Sequence, residues 1–516
     1  MAPPMNVTDY LLDGKEPGRL AVRFLDHDCT YGELRVAARQ VAKYLLETGG
    51  RPGDRVILVS EDSLFWVAVY LGSLWAGFIC VPLAASISLQ DLDYVLETTG
   101  ARIAFLEARF ATRAAEHFER INVITDRESA ESPGCTSRLS ICEMRPGAGP
   151  GQLPLPRAQG DDLAALMFTS GSTGRPRGVM VSHANIVANT DSIIQYLGLT
   201  RQDRMMVVLP FHYCFGASLL HTHLRVGGSL VVDQRFRYPE VVLQRMAETE
   251  CTGFAGVPSH FQILLRSSGL RKKAFPHLRL VQQAGGCLAP SFVSELRRAL
   301  PGTQVFVMYG QTEATSRLSY LPPELLDTKP GSVGRGIPGV RLRVLNESGK
   351  EVCPGEVGEI VAEGANVTRG YWGAPEESAG CFRDGSLHTG DLATVDTDGF
   401  VYIVGRTKDF IKCGGERVSC RQLEETLLEF EALLEAAVIG APDDVLGEAV
   451  WAFVVAHEGD CRGSCEWRAC REIRERLRGF CKDHLPPQLC PKEVCMLDNL
   501  PKNAAGKVLK AALRTI

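Results

Sequence analysis

The sequence predicts a multidomain α/β fold, and three observations carry that reading. The chain has 516 residues, enough for roughly three to four units that each bury a core. Through the first 330 residues, short apolar runs bounded by turns alternate with helical periodicity, the rhythm of layered parallel sheets. Beyond Pro330 the texture changes twice, first to glycine-rich short strands and then, near Lys408, to a compact α+β unit.

The elements follow in order. "RVILVS" (Arg55 to Ser60) reads as a strand, Ser63 to Ala76 as a buried helix and Phe78 to Leu83 as a buried strand. "GSLVVD" followed by "YPEVVLQRMAETE", and "LRLVQQAGG" followed by "SFVSELRRAL", continue the strand–helix alternation, which "TQVFVMYGQTE" closes. The Gly/Pro/Arg-rich interval from Cys135 to Gly160 reads as a surface connection. "GVRLRVL", "GEIVAEG" and "GFVYIVG" form a small β-subdomain, and "RQLEETLLEF", "EAAVIGAP", "AVWAFVVAH" and "EWRACREIRERLRGFCKDHL" give the last unit its helices and strands. The domains are therefore drawn as 1–407 and 408–516, with no repeat or low-complexity tract between them.

Composition excludes several classes of function. Net charge is −5 with acids and bases intermixed, which gives no electrostatic reason to expect nucleic acid or an anionic membrane as partner. Leu64 to Leu89 is long and uncharged, but Gly72, Gly77 and Pro82 divide it into helix and strand, so a membrane span is not expected. The N-terminus lacks a basic segment followed by an apolar one, and the 17 cysteines are odd in number and scattered, so reduced thiols and a cytoplasmic location are expected. The C-terminal cysteines, Cys461 to Cys495, hold no CxxC pair, so no structural zinc is expected.

Four stretches bear chemistry. "FTSGSTGRPRGVMVSH" (Phe168 to His183) offers hydroxyls and glycines that let backbone approach phosphate, yet it lacks GxxxxGK[ST] and so is not an ordinary P-loop. "MYGQTEA" (Met308 to Ala314) groups an aromatic, a hydroxyl and a carboxylate at a strand end, where the carboxylate can meet phosphate through Mg²⁺. In "HTGDLATVDTDGFVYIVGRTKD", Asp391 can accept from two ribose hydroxyls and Arg406 can donate. "LPKNAAGKVLK" presents Lys507 near the C-terminus.

Together and in this order, these motifs resemble the adenylate-forming superfamily of acyl-CoA synthetases, peptide-synthetase adenylation domains and firefly-type luciferases. "TSGSTGRPRG", "YGQTE", "TGDL", "GRTKDFIKCGGERV" and "PKNAAGK" carry the resemblance, with "LPFHYCFG", "GVPSHF" and "QAGGCLAP" between them. The resemblance implies two βαβαβ-type subdomains and a distorted β-barrel in the large domain, and a small mobile lid. It implies an enzyme that makes acyl-AMP and PPi from a carboxylic acid and ATP with Mg²⁺, then passes the acyl group to a nucleophile. By motif, Thr169, Ser170, Gly171, Ser172, Thr173, Gly174 and Arg177 would cradle the departing pyrophosphate. Tyr309, beside Gly310, would stack on adenine near Gly285 and Gly286, Thr312 would touch the α-phosphate and Glu313 would hold Mg²⁺. Asp391 and Arg406 would bind ribose, and His212 would lie near the carboxylate. Lys507 would bridge carboxylate and α-phosphate. Lys408 would be the hinge, and Lys412, Gly414 and Gly415 would serve the second step.

Three positions depart from the family pattern: Arg177 for the usual Lys, Asn503 for the usual Thr, and Cys420 with Gln422 where Pro and Glu are usual. None falls on the groups most needed for adenylation. The segment "FHYCFGASLL" contains no acid to pair with an α-ammonium, and burying that charge unpaired is costly. An acid without an amino group, apolar in character, is expected, with Tyr213, Cys214, Phe215, Val257 and Cys287 as pocket walls. CoA is the expected acceptor. A carrier-protein pantetheine, or an amine or amino acid as in coronafacate-type amide ligases, is the alternative. A nucleotide-binding scaffold that had lost catalysis would be expected to lack Lys507, Glu313 or Asp391, and all three are present.

Overall fold

The computed structural model describes residues 6–126, 135–138, 155–170, 175–406, 409–413, 416–443, 446–456, 466–502 and 508–516. Two large sheets dominate the first part. One has seven strands, in the order Cys135–Arg138, Asn122–Thr125, Ile103–Leu106, Arg55–Val59, Ile79–Leu83, Leu163–Ser170 and Pro176–Ser182. All of its pairings are parallel except the last, an antiparallel hairpin. The strand Cys135–Arg138 lies inside the interval read from sequence as a plain connection.

The second sheet has nine strands. Its parallel centre comprises Gln304–Tyr309, Leu280–Gln283, Gly253–Gly256, Arg204–Val207, Ser229–Val232 and Leu20–Arg23, flanked by short antiparallel edges. One apolar cluster joins the two sheets across the helices Tyr31–Glu47, Leu64–Trp75, His183–Leu197 and Cys214–Val226. Along Arg55–Val59, Val56 and Leu58 enter this cluster while Ile57 and Val59 enter a second one on the opposite face. Burial on both faces is why the strand reads as an unbroken apolar run.

Helix Leu64–Trp75 is buried along its whole length and starts at Ser63, whose hydroxyl accepts from the Trp66 N–H. The uncharged segment is thus a core helix and strand, and no helix among the described residues is long and apolar enough to cross a membrane. The third sheet is antiparallel, with Val340–Leu345, Gly358–Gly364, Ser386–Val395, Phe382–Arg383 and Val401–Arg406. The fourth holds Glu416–Ser419, Phe410–Cys413, Gly447–Ala456, Leu433–Asp443 and Glu493–Met496, covered by helices Cys420–Leu427 and Glu466–His484. The multidomain α/β architecture read from the sequence is the one observed.

Candidate active site

Ligands of parallel α/β sheets gather outside the carboxyl ends of the strands. In the nine-stranded sheet, Gly256 pairs with Gln283 and Gln283 with Val307, so the strands end in step. The strand ends and the loops that follow them carry His212 and Tyr213, then Val257, then Gly285 and Gly286, then Tyr309 and Gly310. Gly285 has φ +82°, and a Cβ there would sit 2.9 Å from Val257 Cγ1 and 3.1 Å from the Tyr213 hydroxyl. Three of the residues named from sequence thus meet at one point. Cys287 lines a cleft beside Gly286 and, on an exposed turn, points its thiol at Arg421 (2.6 Å) and Glu425 (3.0 Å) of the C-terminal unit.

The turn after Tyr309 is held tightly. Gly310 runs so close to the returning chain that a Cβ would lie 2.1 Å from the Ser316 carbonyl oxygen. Thr315 is driven to φ +66°, a costly conformation for a β-branched residue and one that persists where surroundings enforce it. Asn366 enforces it, donating to the carbonyls of Ala314 (3.2 Å) and Arg317 (2.8 Å) and accepting from the Thr315 hydroxyl through its own carbonyl (2.7 Å). Asn189 adds a 3.2 Å bond to the Arg317 carbonyl. Within this turn, the Thr312 hydroxyl contacts Cys214 Sγ at 3.3 Å.

Glu313 accepts a 2.8 Å hydrogen bond from the Tyr371 hydroxyl, and its backbone carbonyl accepts from both the N–H and the hydroxyl of Thr368, each at 2.9 Å. Burial and the neighbouring Glu313 push the Tyr371 phenol up, so it stays a donor. Arg177 lies 5.4 Å above the Tyr371 ring and pairs with Glu377 at 2.5 Å. Tyr371 therefore joins the hairpin of Leu163–Ser170 and Pro176–Ser182 to Glu313. Sequence reading missed it, because the aromatic pair in "TRGYWG" carries no signal of its own.

Asp391 lies within an antiparallel strand opposite Arg406 and is almost fully buried. Arg406 Nε donates to Oδ1 at 2.8 Å and the Tyr309 hydroxyl to Oδ2 at 2.6 Å. Burial, and then the Asp391 charge, hold the Tyr309 phenol protonated. A carboxylate offers about four acceptor positions, so this arrangement fixes Asp391 and still leaves capacity to accept from a diol.

His212 precedes helix Cys214–Val226 on a loop pinned by Asp62, which accepts the Phe211 N–H at 3.0 and 3.2 Å through its two oxygens. Enclosure lowers the His212 imidazole to about 4, so it is neutral at pH 7. Burial raises the Asp62 carboxyl to about 7.

Arg317 was not anticipated from the sequence. It is 1% exposed, with its guanidinium 3.8 Å from the centre of the Phe215 ring. Nη1 donates to the Ser316 hydroxyl at 2.7 Å. Burial lowers its basicity, and the neighbouring Tyr196, Cys214 and Tyr213, with a hydrogen bond to Tyr196, oppose that fall. Among the described residues no carboxylate forms an ion pair with it. A cation over an aromatic ring recovers about 2 kcal/mol, less than the several kcal/mol that burying such a charge costs.

Other residues named from sequence are placed as follows. Thr169 and Ser170 end the strand Leu163–Ser170 and pair with Arg177 and Pro176; Gly171, Ser172, Thr173 and Gly174, which join the two strands, lie outside the described residues, as do Lys408, Gly414, Gly415, Asn503 and Lys507. Lys412 is the exposed residue of the strand Phe410–Cys413, with its N–H donating to Glu448 at 2.6 Å. The residues flanking Lys507 are described: Lys502 pairs with Val508 in a β-bridge, and Lys502 Nζ contacts Glu435 at 2.7 Å. Lys502 also lies near enough to His260, on the helix that starts beside Val257, to lower its imidazole after burial has done so. Cys420 is buried as the first residue of its helix, behind the Ser419 cap.

Comparison with known proteins agrees with this geometry. Residues 13–372 match the AMP-binding enzyme family and residues 422–507 its C-terminal domain. A feruloyl-CoA synthase from Amycolatopsis sp is 33% identical over 96% of each chain, and an oxalate–CoA ligase from Arabidopsis thaliana is 30% identical over 91% of this chain and 90% of that one. Among solved structures, an o-succinylbenzoate CoA synthetase from Bacillus subtilis in complex with its acyl-adenylate intermediate has a TM-score of 0.83 at 28% identity, covering 100% of this chain and 99% of that one. The amide bond synthetase McbA from Marinactinospora thermotolerans has a TM-score of 0.85 at 27% identity, covering 99% of each chain. The chain belongs to the AMP-binding enzyme family and is an ATP-dependent, AMP-forming carboxylic acid ligase.

Proposed function

We propose that this enzyme converts a carboxylic acid without an α-amino group to its acyl-AMP, releases PPi, and transfers the acyl group to CoA. The observation that carries the assignment of the site is the convergence of Thr312, Glu313, Tyr309 and Asp391–Arg406 at the carboxyl edge of one sheet. Asp391 accepts from the ribose hydroxyls, oriented by Arg406 and Tyr309. The adenine ring lies against Tyr309, Gly285 and Gly286, beside a cleft bounded by Gly286, Met308 and Val333. Thr312 donates to the α-phosphate, and neutral His212 stands by the carboxylate.

The donor set fits Mg²⁺, a hard cation that prefers oxygen ligands, because Tyr371 occupies only one acceptor position of the Glu313 carboxylate. When bound there, the ion offsets phosphate charge. Lys507 neutralises charge building between the carboxylate and the α-phosphate, and the placement of Lys502 near His260 supports its approach from this side. Residues 1–407 form the core and 408–516 the lid, with Lys408 as hinge, and Lys412, Gly414 and Gly415 face the acceptor in the second step.

The CoA ligases among the relatives support CoA as acceptor, and the likeness to an amide bond synthetase makes an amine the competing reading. The named acids of the relatives are of two kinds, the monocarboxylate ferulate and the dicarboxylate oxalate. The test is PPi release with ATP, Mg²⁺ and a panel of acids, repeated with CoA and with free amines, the products identified by mass. Lys507→Ala is expected to cut acyl-AMP formation at least a hundredfold. Unchanged adenylation in that variant would remove the lid from the first step, and no PPi with any acid would overturn the reading.

A further inference from the structure

Two lysines on either side of Lys507 in the chain have partners that the proposed chemistry does not use. We propose that Lys502 and Lys510, through their ion pairs with Glu435 and Glu424, are positioning residues that hold both flanks of Lys507 to one strand of the C-terminal unit; this rests on the role given to Lys507 above.

Lys502 and Val508 form an antiparallel β-bridge, and the Leu509 N–H donates to the Pro501 carbonyl at 2.8 Å. The two flanks are thereby tied to each other, and Lys507 is joined directly to Val508. Each flank is then tied to the strand Leu433–Asp443. Lys502 Nζ contacts Glu435, on that strand, at 2.7 Å. Lys510 Nζ contacts Glu424 Oε1 at 2.7 Å, and the same oxygen accepts the N–H of Val438, again on that strand, at 2.8 Å. Leu500 and Leu513, beyond the two lysines, are buried in one apolar cluster with Ala437 and Ile439, so the flanks cannot peel away without exposing apolar surface. The side chains of Glu435 and Glu424 are only 9% and 19% exposed. Carboxylates so enclosed need a cation, unlike the open surface pairs that add little. Asp409 and Cys420 also face Lys510. The strand packs in turn against helix Pro258–Ser267 of the large domain, which begins beside Val257 at the pocket. A path of direct contacts thus leads from the pocket wall to both flanks of Lys507.

Pairs that only stabilise the unit would, when broken, weaken both half-reactions together, whereas pairs that aim Lys507 weaken the first alone. The experiment measures acyl-AMP formation, as PPi release with ATP, Mg²⁺ and the most active acid of the panel above. Transfer from the synthetic acyl-AMP of that acid to the acceptor identified by mass is measured separately. Lys510→Met and Lys502→Met are each expected to lower kcat of the first reaction roughly tenfold or more, the scale on which misplacing a group by about 1 Å acts. KM for ATP and the rate of transfer are expected to change by less than about twofold. Lys510→Arg and Lys502→Arg, which can re-form the pairs, restore most of the rate. Should a methionine variant fail to fold, Glu424→Gln and Glu435→Gln, which keep side-chain shape, give the same comparison. Equal losses in the two reactions, or a first reaction that none of these changes slows although Lys507→Ala does, overturns the inference. A first reaction that Lys507→Ala leaves unchanged overturns the role of Lys507 itself, and the inference with it.

Discussion

At the scale of single residues, the motif positions were legible because each pairs an unusual residue type with a fixed neighbour. "YGQTE" and "TGDL" gave Tyr309, Glu313 and Asp391, but not that the Tyr309 hydroxyl reaches Asp391 across 82 residues of chain. Arg317 and Tyr371 were illegible, since their meaning comes from partners brought by the fold. Tyr371 also explains the Arg177 departure: a planar guanidinium pairs with Glu377 and lies over the ring at once, which an ammonium does less well. Tyr371→Phe keeps the ring under Arg177 and removes one hydrogen bond to a carboxylate, an interaction of about 1.5–3 kcal/mol. The expected result is a fall in adenylation of roughly tenfold or more together with a higher Mg²⁺ requirement. An unchanged Mg²⁺ titration would separate Tyr371 from Glu313.

At the scale of elements, the parallel strands were readable as apolar runs and the helices from their caps and periodicity, whereas the connection Gly310–Arg317 was not. A turn with a β-branched residue at positive φ contradicts local preference, and only the clamp from Asn366 and Asn189 shows why it holds. The departure from ordinary backbone coincides with the candidate site, where strain is commonly stored. Gly310→Ala would press a methyl against backbone, which cannot yield as a side chain would; a loss of roughly 3 kcal/mol or outright misfolding is expected. Gly380→Ala, on a helix with nothing within 4 Å of the added carbon, is expected to be neutral or stabilising by up to about 1 kcal/mol. Denaturant midpoints of the two variants measure the contrast, and equal midpoints would mean the turn is loose.

At the scale of the whole molecule, the two parallel sheets enclose more imidazole than their polar surroundings can charge. Burial lowers His183, His212, His223 and His260 to about 4 and His221 to about 3. Unfolded imidazoles titrate near 6.5, so as pH falls below that value the unfolded chain takes up protons that the folded chain refuses, and stability drops until about pH 4. Asp62 acts in the opposite sense: its folded value of about 7 exceeds its unfolded one, so its contribution is present at low pH and lost as pH rises through 7. Burial raises the Asp9 and Glu424 carboxyls in the same sense as Asp62; five imidazoles against three carboxyls still leave a net uptake on unfolding, and Tm at constant ionic strength is expected to fall from pH 6.5 to 4.5. A flat or rising profile would show that these imidazoles are solvated.

The seam between the two parts of the chain has a kinetic meaning. Cys287, on an exposed turn, meets Arg421 and Glu425 through its thiol, a contact that the lid rotation proposed above would have to break and remake. Contacts of this exposed kind are worth up to about 1 kcal/mol even when both partners are charged, and that is a factor of about five in rate. A soft, neutral partner at this position makes the seam a brake set almost to zero: strong enough to register the two parts, too weak to hold the lid past its turn.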